Sequence, residues 1–270
     1  MNKILFLALM LISCGSPTTE FRGHKQSIAP IVWHWEDRFT DKEKEKLVTY
    51  LTEVSQATFT TLGQYPFQVH FFLHRSDDQK EPIPWAHTER SELEGVHFYV
   101  NPDFDLKVFR EDWTAPHEMS HLSIPFLGKK NAWFSEGYAT YMQLQIMKEM
   151  GIYTAKEMAE RYAMKDNLVK DDFSASKNFI EDVRELRGDY NFPAMYWGSV
   201  RYFRRIDSDL KRLENITLTK HIQSYERKYR MQDQSLEDLL ISLDKDLKEP
   251  IFQKLMKRCY QESFEKAFTE

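Results

Sequence analysis

The first hundred residues alternate between short apolar runs and one longer amphipathic segment. Three runs rich in β-branched and aromatic side chains, at 31–35, 67–73 and 95–101, are typical of strands. Between the first two, residues 41–61 place apolar side chains at roughly helical spacing. This pattern predicts a mixed α/β organisation, with turn-rich sequence between the elements.

Beyond residue 112 the strand pattern fades and helical spacing dominates. Gly151 is placed to end one predicted helix, and Ser235 is placed to cap another. The whole pattern predicts an α+β fold within 28–270, with an α/β half to about 130 and a mostly helical half from about 131. The predicted helices cover about 114–124, 133–150, 154–163, 175–187, 195–212, 217–230 and 235–266, the last broken at Pro250.

The amino terminus has the features of an export signal. Lys3 precedes a run of nine apolar residues, which is shorter than the ~20 residues that a bilayer-spanning helix needs. The ending Leu11-Ile12-Ser13-Cys14 resembles the bacterial lipobox. This resemblance implies that residues 1–13 are removed as a signal peptide and that Cys14 carries lipid. An uncleaved anchor, or a plain signal peptide cut nearby, is the alternative.

Residues 14–27 are small and polar without apolar periodicity, so we expect a lipidated Cys14 followed by a flexible tether. The folded domain, 28–270, would then lie outside the cytoplasm, in the periplasm or on the surface of a bacterial cell envelope.

Composition excludes several classes of protein. Of the 270 residues 41% are hydrophobic, so the chain can form a core and is not disordered as a whole. The formal net charge is -5, and without a basic run we expect no nucleic-acid partner. Two cysteines, Cys14 and Cys259, cannot build a disulfide framework or a four-thiolate zinc site.

The candidate chemistry is concentrated in His117-Glu118-Met119-Ser120-His121. On a helix, residues four apart share a face, so His117 and His121 can direct both imidazoles to one metal ion with Glu118 beside them. A chance match to this HExxH pattern is expected only about 0.03 times in such a chain.

A catalytic zinc site needs a third protein ligand. Ile124 and Leu127 occupy the positions where a metzincin has its glycine and last histidine, and the first aspartate after the motif is Asp166. Glu136 remains, separated from His121 by 14 intervening residues that include a turn, so a second helix can return to the first.

HEMSH followed by NAWFSEGYATYM resembles the gluzincin metallopeptidases of the thermolysin-like clan. The segment WFSEGYATY is most similar to the glycyl aminopeptidase and aminopeptidase N families. The resemblance implies that His117, His121 and Glu136 bind one Zn²⁺ and that Glu118 is the catalytic base. It also implies a zincin-like domain, with the active site between a small α/β part containing a mixed sheet and a helical part.

A second segment, Ala194 to Ser199, resembles the Tyr-x-x-Gly stretch of those families, with Ser199 in the position of the glycine. The resemblance implies that Tyr196 stabilises the oxyanion. The alternative interpretation is that Tyr196 packs in an aromatic core. In that case His221 and Tyr138 are the alternative oxyanion donors. No Gly-x-Met-Glu-Asn stretch, which those aminopeptidases use to hold the substrate amine, occurs between residues 60 and 110.

Two further features have open interpretations. Thr140, four residues after Glu136, either hydrogen-bonds a ligand histidine or lies on the surface. The strand at 95–101 corresponds either to the clan's edge strand, which pairs with the substrate backbone, or to a buried strand.

These observations favour zinc-dependent hydrolysis of peptide bonds by a membrane-tethered envelope metallopeptidase. The expected partners are a peptide or protein substrate and, through the lipid, a membrane. The alternative is a non-catalytic zincin-fold lipoprotein that acts as a binding or assembly factor, but the four site residues are all present, which favours the enzyme.

Overall fold

The computed structural model describes residues 31–76 and 80–269, which form one mixed sheet and a set of helices. The strands in this part are β1 (Val32–Trp35), β2 (Val69–Arg75), β3 (Trp85–Arg90) and β4 (Glu94–Val100). The helices are α1 (Asp41–Leu62), α2 (Leu106–Glu111), α3 (Thr114–His121), α4 (Ala132–Glu149), α5 (Ala155–Val169), α6 (Phe179–Gly188), α7 (Phe192–Glu214), α8 (Leu218–Lys228), α9 (Leu236–Asp244), α10 (Ile251–Gln261) and α11 (Phe264–Ala267).

The sheet has the strand order β1-β2-β4-β3. β2 pairs in parallel with both β1 and β4, whereas β3 runs antiparallel to β4 and forms one edge. The three strands predicted from apolar runs are present. The sequence pattern does not predict β3, because an edge strand of sequence WAHTER, half-exposed along most of its length, lacks a buried apolar face.

The two faces of the sheet differ in chemistry. Alternate residues of β2 and β4, such as Phe71 and Phe98, are fully buried beneath the sheet. The opposite face is half-exposed and carries a row of imidazoles from neighbouring strands. Within this row His34 and His70, and likewise His74 and His97, approach to 2.9 Å between ring nitrogens, and His87 stacks on His97.

The helical second half agrees with the sequence pattern, with shifted ends. α6 starts at Phe179 rather than near 175 because Asn178 caps it and Glu181 completes the capping box. Gly151, at φ 76°, follows the end of α4, and Ser235 caps α9. The break near Pro250 separates α9 from α10. The short helix α2 was not predicted.

Buried apolar side chains form two clusters, and the HExxH helix contributes to the first of them. One lies among α1, the sheet and the buried side of α3, and the other lies among α4 to α11. Gly137 allows α7 to pack closely on α4, since a Cβ there would lie 2.4 Å from the Cβ of Ser199. The mixed α+β fold with a mostly helical second half is therefore confirmed.

Residues 1–30, including Cys14 and the expected signal peptide and tether, lie outside the described residues. Within the described part, no helix combines the length and the apolar character that crossing a membrane requires. Cys259 is a buried free thiol in the second core cluster, and burial raises its pKa.

Candidate metal centre and active site

Two successive helices bring the three predicted metal ligands together. His117 and His121 lie one turn apart on α3, and α4 returns after the 122–131 connection with Glu136 in its second turn. Glu136 Oε2 lies 3.1 Å from His117 Nε2 and 3.6 Å from His121 Nε2, and the two Nε2 atoms are 3.2 Å apart. Among the described residues, this is the one group of three or more potential metal ligands whose donor atoms converge.

The spacing of these donor atoms fits a tetrahedral ion. Ligand atoms that lie about 2.0–2.1 Å from a tetrahedral centre are about 3.3 Å from one another. The three observed separations fall on both sides of that value. Two imidazoles and one carboxylate are also the donor set of catalytic zinc sites, which leave a fourth position open.

Pro116, directly before the first ligand, fits the helix without cost. It occupies the third position of α3, where a backbone N–H has no partner within the helix. The first hydrogen bond of the helix is donated by the N–H of His117 to the carbonyl of Trp113.

Gln143 orients the first ligand. Its Oε1 lies 2.8 Å from Nδ1 of His117, and both side chains are buried. An amide oxygen accepts only, so Nδ1 carries the proton and Nε2 keeps its lone pair for a metal. Gln143 lies seven residues after Glu136, two turns along the same helix face. The sequence pattern indicated Thr140 as a candidate for this role and contained no local signal for Gln143.

Thr140 is buried, and its hydroxyl has no hydrogen-bond partner among the described residues. The structure therefore supports neither of its two interpretations, a surface threonine or a hydrogen bond to a ligand histidine.

Opposite charges stabilise one another at the centre. Burial raises the pKa of the Glu136 carboxyl, but the charges of His121 and His117 and their hydrogen bonds outweigh it, and the pKa lies well below its usual range. Burial disfavours a proton on His117, yet the contact with Glu136 holds the pKa of His117 above its usual value. A bound metal ion would take the place of that proton.

A cleft of about 460 Å³ opens over the three predicted metal ligands. Glu118 and Tyr196 also line it, as do β3 and the connection after α3. Glu118 is half-buried on α3 beside His117, so its carboxylate is available to the cleft.

Tyr196 lies on α7, half-buried in the cleft wall. Its ring is nearly parallel to that of His117, with 6.2 Å between centroids. Burial and the neighbouring Glu136 raise the pKa of the Tyr196 phenol, so it stays protonated and can donate. The two alternative donors face elsewhere: Nε2 of His221 lies 2.7 Å from the Leu243 carbonyl, and the Tyr138 hydroxyl lies 2.6 Å from Ser123 Oγ.

Two arginines hold the carboxyl end of α3. Nε of Arg230 donates to the carbonyl of Leu122 at 2.9 Å, and Arg90 donates to the carbonyls of His121 and Ile124. Burial lowers the pKa of Arg90 to about 10, so it remains charged at neutral pH. Cations at the carboxyl end of a helix donate hydrogen bonds to carbonyls that have no partner within the helix, and they interact favourably with the negative end of the helix dipole. No local sequence signal marked this pair, because its partners are distant in the chain.

Of the two interpretations of the strand at 95–101, the structure supports the interior strand and not the edge strand. This strand is β4, which is interior and pairs on both sides. The edge beside the cleft is β3, whose residues Trp85 to Thr88 and Arg90 line it.

No family model and no curated protein matches the sequence. Among solved structures, the fold is similar to a two-domain M1 zinc metallopeptidase mutant bound to L-arginine, with a TM-score of 0.50 and 12% identity over 83% of this chain. An M1 zinc metallopeptidase from Deinococcus radiodurans is similar at a TM-score of 0.46 and 13% identity over 82% of this chain. The matched regions cover 46% and 44% of those chains, less than half of each. The first comparison places the overall fold with that of M1 zinc metallopeptidases.

Proposed function

We propose that this chain is a zinc metallopeptidase that hydrolyses peptide bonds at the His117, His121 and Glu136 centre. The observation that carries the proposal is the convergence of these three donor atoms at tetrahedral spacing, in a cleft that also exposes Glu118. The similarity in fold to M1 zinc metallopeptidases supports the same class of reaction.

Each of the cleft residues has a separate role in the proposed reaction. Zinc, when bound, supplies Lewis acidity that polarises a carbonyl and makes water acidic near neutral pH. Glu118 accepts the proton of the attacking water and later delivers it to the leaving amine. The Tyr196 hydroxyl donates a hydrogen bond to the substrate carbonyl oxygen as that oxygen gains negative charge. Gln143 keeps the His117 ring in the required tautomer.

The test is Glu118→Gln, which keeps the shape of the side chain but cannot accept the proton. We expect hydrolysis to fall at least ~100-fold while one zinc ion stays bound. Glu111→Gln, an exposed change at the end of α2, is the matched control and should leave both unchanged. If zinc-loaded wild type cleaves nothing in a diverse peptide library, the peptidase proposal fails and a zincin-fold binding or assembly lipoprotein becomes the better reading.

We further propose that the protein is anchored to a membrane of the cell envelope through lipid on Cys14. The support is the short apolar run that ends in Leu11-Ile12-Ser13-Cys14. Labelling cells with a clickable fatty acid tests it. Cys14→Ser should lose the label, whereas Cys259→Ser, which changes a buried thiol, should keep it. Equal labelling of wild type and Cys14→Ser would disprove the anchor.

A further inference from the structure

Arg187 lines the same cleft as the three proposed metal ligands. It lies in the last turn of α6, half-buried, and the short connection 189–191 leads from there directly into α7. That connection is well fixed, because the N–H of Asn191 bonds to the carbonyl of Leu186 at 2.8 Å. Arg187 lines the cleft together with Tyr196, and its charge opposes the effect of Glu136 on the pKa of the Tyr196 phenol.

The Arg187 guanidinium has no hydrogen-bond or ion-pair partner among the described residues. The other cleft arginine, Arg90, is committed to the carbonyls at the end of α3 and to Glu94. The remaining cleft cation, Lys129, is exposed to solvent. A half-buried guanidinium loses part of its hydration, and its N–H donors lie in one plane. An anionic group of a bound ligand would accept hydrogen bonds from these donors and so compensate for the lost hydration.

The charges around Arg187 restrict where such an anion can sit. Glu81 lines the wall of the cleft, and Glu118 lines it beside the proposed metal ligands. Each carboxylate repels a ligand anion nearby, whereas Arg187 attracts one. A peptide carboxylate is therefore favoured beside Arg187 and disfavoured beside Glu81 and Glu118.

We propose that Arg187 binds a carboxylate of the peptide substrate, so that the cleft prefers peptides with a carboxylate close to the bond being cleaved. This inference rests on the proposed peptidase function. The carboxylate has two possible sources with the same chemistry: the α-carboxylate of a C-terminal residue, or the side chain of an internal aspartate or glutamate. Both can form paired hydrogen bonds with a guanidinium.

Matched peptides test the proposal on the full-length, zinc-loaded chain. Peptides that the wild type cleaves are made with a C-terminal carboxylate or a C-terminal amide, and with internal Glu or Gln. We expect wild-type kcat/KM to favour the carboxylate member of one pair by about ten- to hundredfold, as for a charged hydrogen bond. Arg187→Gln should bring that ratio close to one by slowing the charged peptide only, and Arg187→Lys should retain part of it.

Arg184→Gln is the control, because Arg184 is an exposed residue of the same helix whose guanidinium lies over the Tyr260 ring. It should leave the ratio unchanged. A change confined to the acid and amide pair assigns the contact to the α-carboxylate, and a change confined to the Glu and Gln pair assigns it to a side chain. If Arg187→Gln, folded by its melting temperature, alters neither ratio, the proposal is overturned.

A binding measurement separates this inference from the peptidase proposal. Fluorescence anisotropy of the same labelled peptides on Glu118→Gln protein needs no turnover. Carboxylate preference that disappears in Glu118→Gln/Arg187→Gln supports the Arg187 site, even if the wild type cleaves no peptide. Equal binding of charged and uncharged peptides to Glu118→Gln refutes the site, even if the wild type is an active peptidase.

Discussion

Replacing Gln143 by leucine should weaken zinc binding without touching a metal ligand. The amide oxygen accepts a hydrogen bond from Nδ1–H of His117 at 2.8 Å, and that bond selects the tautomer whose Nε2 faces Glu136. Leucine has a similar size and no acceptor. The His117 ring would therefore lose its orientation, or its Nδ1–H would remain buried and unpaired.

The magnitude follows from burial. His117 is 3% exposed and Gln143 is 6% exposed, so water has little access to replace the lost acceptor. An unsatisfied buried donor costs about 1–3 kcal/mol, and each 1.4 kcal/mol is a factor of about ten in affinity. The expected loss is therefore about 5- to 150-fold in zinc affinity, similar to the 10–100-fold typical of changes to groups that orient metal ligands.

Competition with a chromophoric chelator measures the zinc affinity of the full chain. Gln145→Leu is the matched control, because Gln145 lies on the same helix and its amide faces the Tyr162 hydroxyl instead. Gln143→Glu should retain or improve affinity, since a carboxylate accepts the same hydrogen bond more strongly. Zinc affinity of Gln143→Leu within about threefold of wild type would refute the assignment of an orienting role to Gln143.

Two other predictions concern the cleft and the sheet. Tyr196→Phe should lower kcat by about 100- to 1,000-fold with little change in KM or melting temperature. The reason is that the hydroxyl stabilises negative charge that exists only in the transition state. A near-normal kcat with a lower melting temperature would instead make Tyr196 a packing residue. Burial, with His87 and His74, lowers the pKa of His97, and burial, with His34, lowers that of His70. The unfolded chain then binds more protons than the folded one between those lowered values and about 6.5, so the free energy of unfolding should fall on acidification through this window. Urea unfolding at pH 7 and pH 5.5 measures this fall, with a chelator present so that metal loss does not contribute. The free energy of unfolding should fall less for His97→Gln than for wild type. An equal fall in both proteins would show that His97 does not contribute to the pH dependence.

The ligand positions could be predicted from the sequence because their geometry is mostly local. Residues four apart on a helix share a face whatever surrounds them, so His117 and His121 needed only a helix to be paired. Glu136 required one further step, a turn after the first helix that returns the chain. The structure brings these three side chains together as that reasoning expected.

The edge strand and the end of the HExxH helix could not be predicted in the same way. β3 is polar and half-exposed, and it becomes a strand only because β4 offers it a free edge. Arg90 and Arg230 are 140 residues apart in the chain, and they meet at the end of α3 only after both halves have packed.

By itself, the sequence therefore determined the elements whose pattern is periodic and the ligands whose spacing is local. The tertiary structure alone decided which side chains support those ligands and which face the substrate cleft. Gln143 reaches His117 because α4 packs against α3, and Arg187 lines the cleft because α6, packed against α7, ends beside it. Such contacts depend on the packing of distant helices, which no short window of sequence encodes.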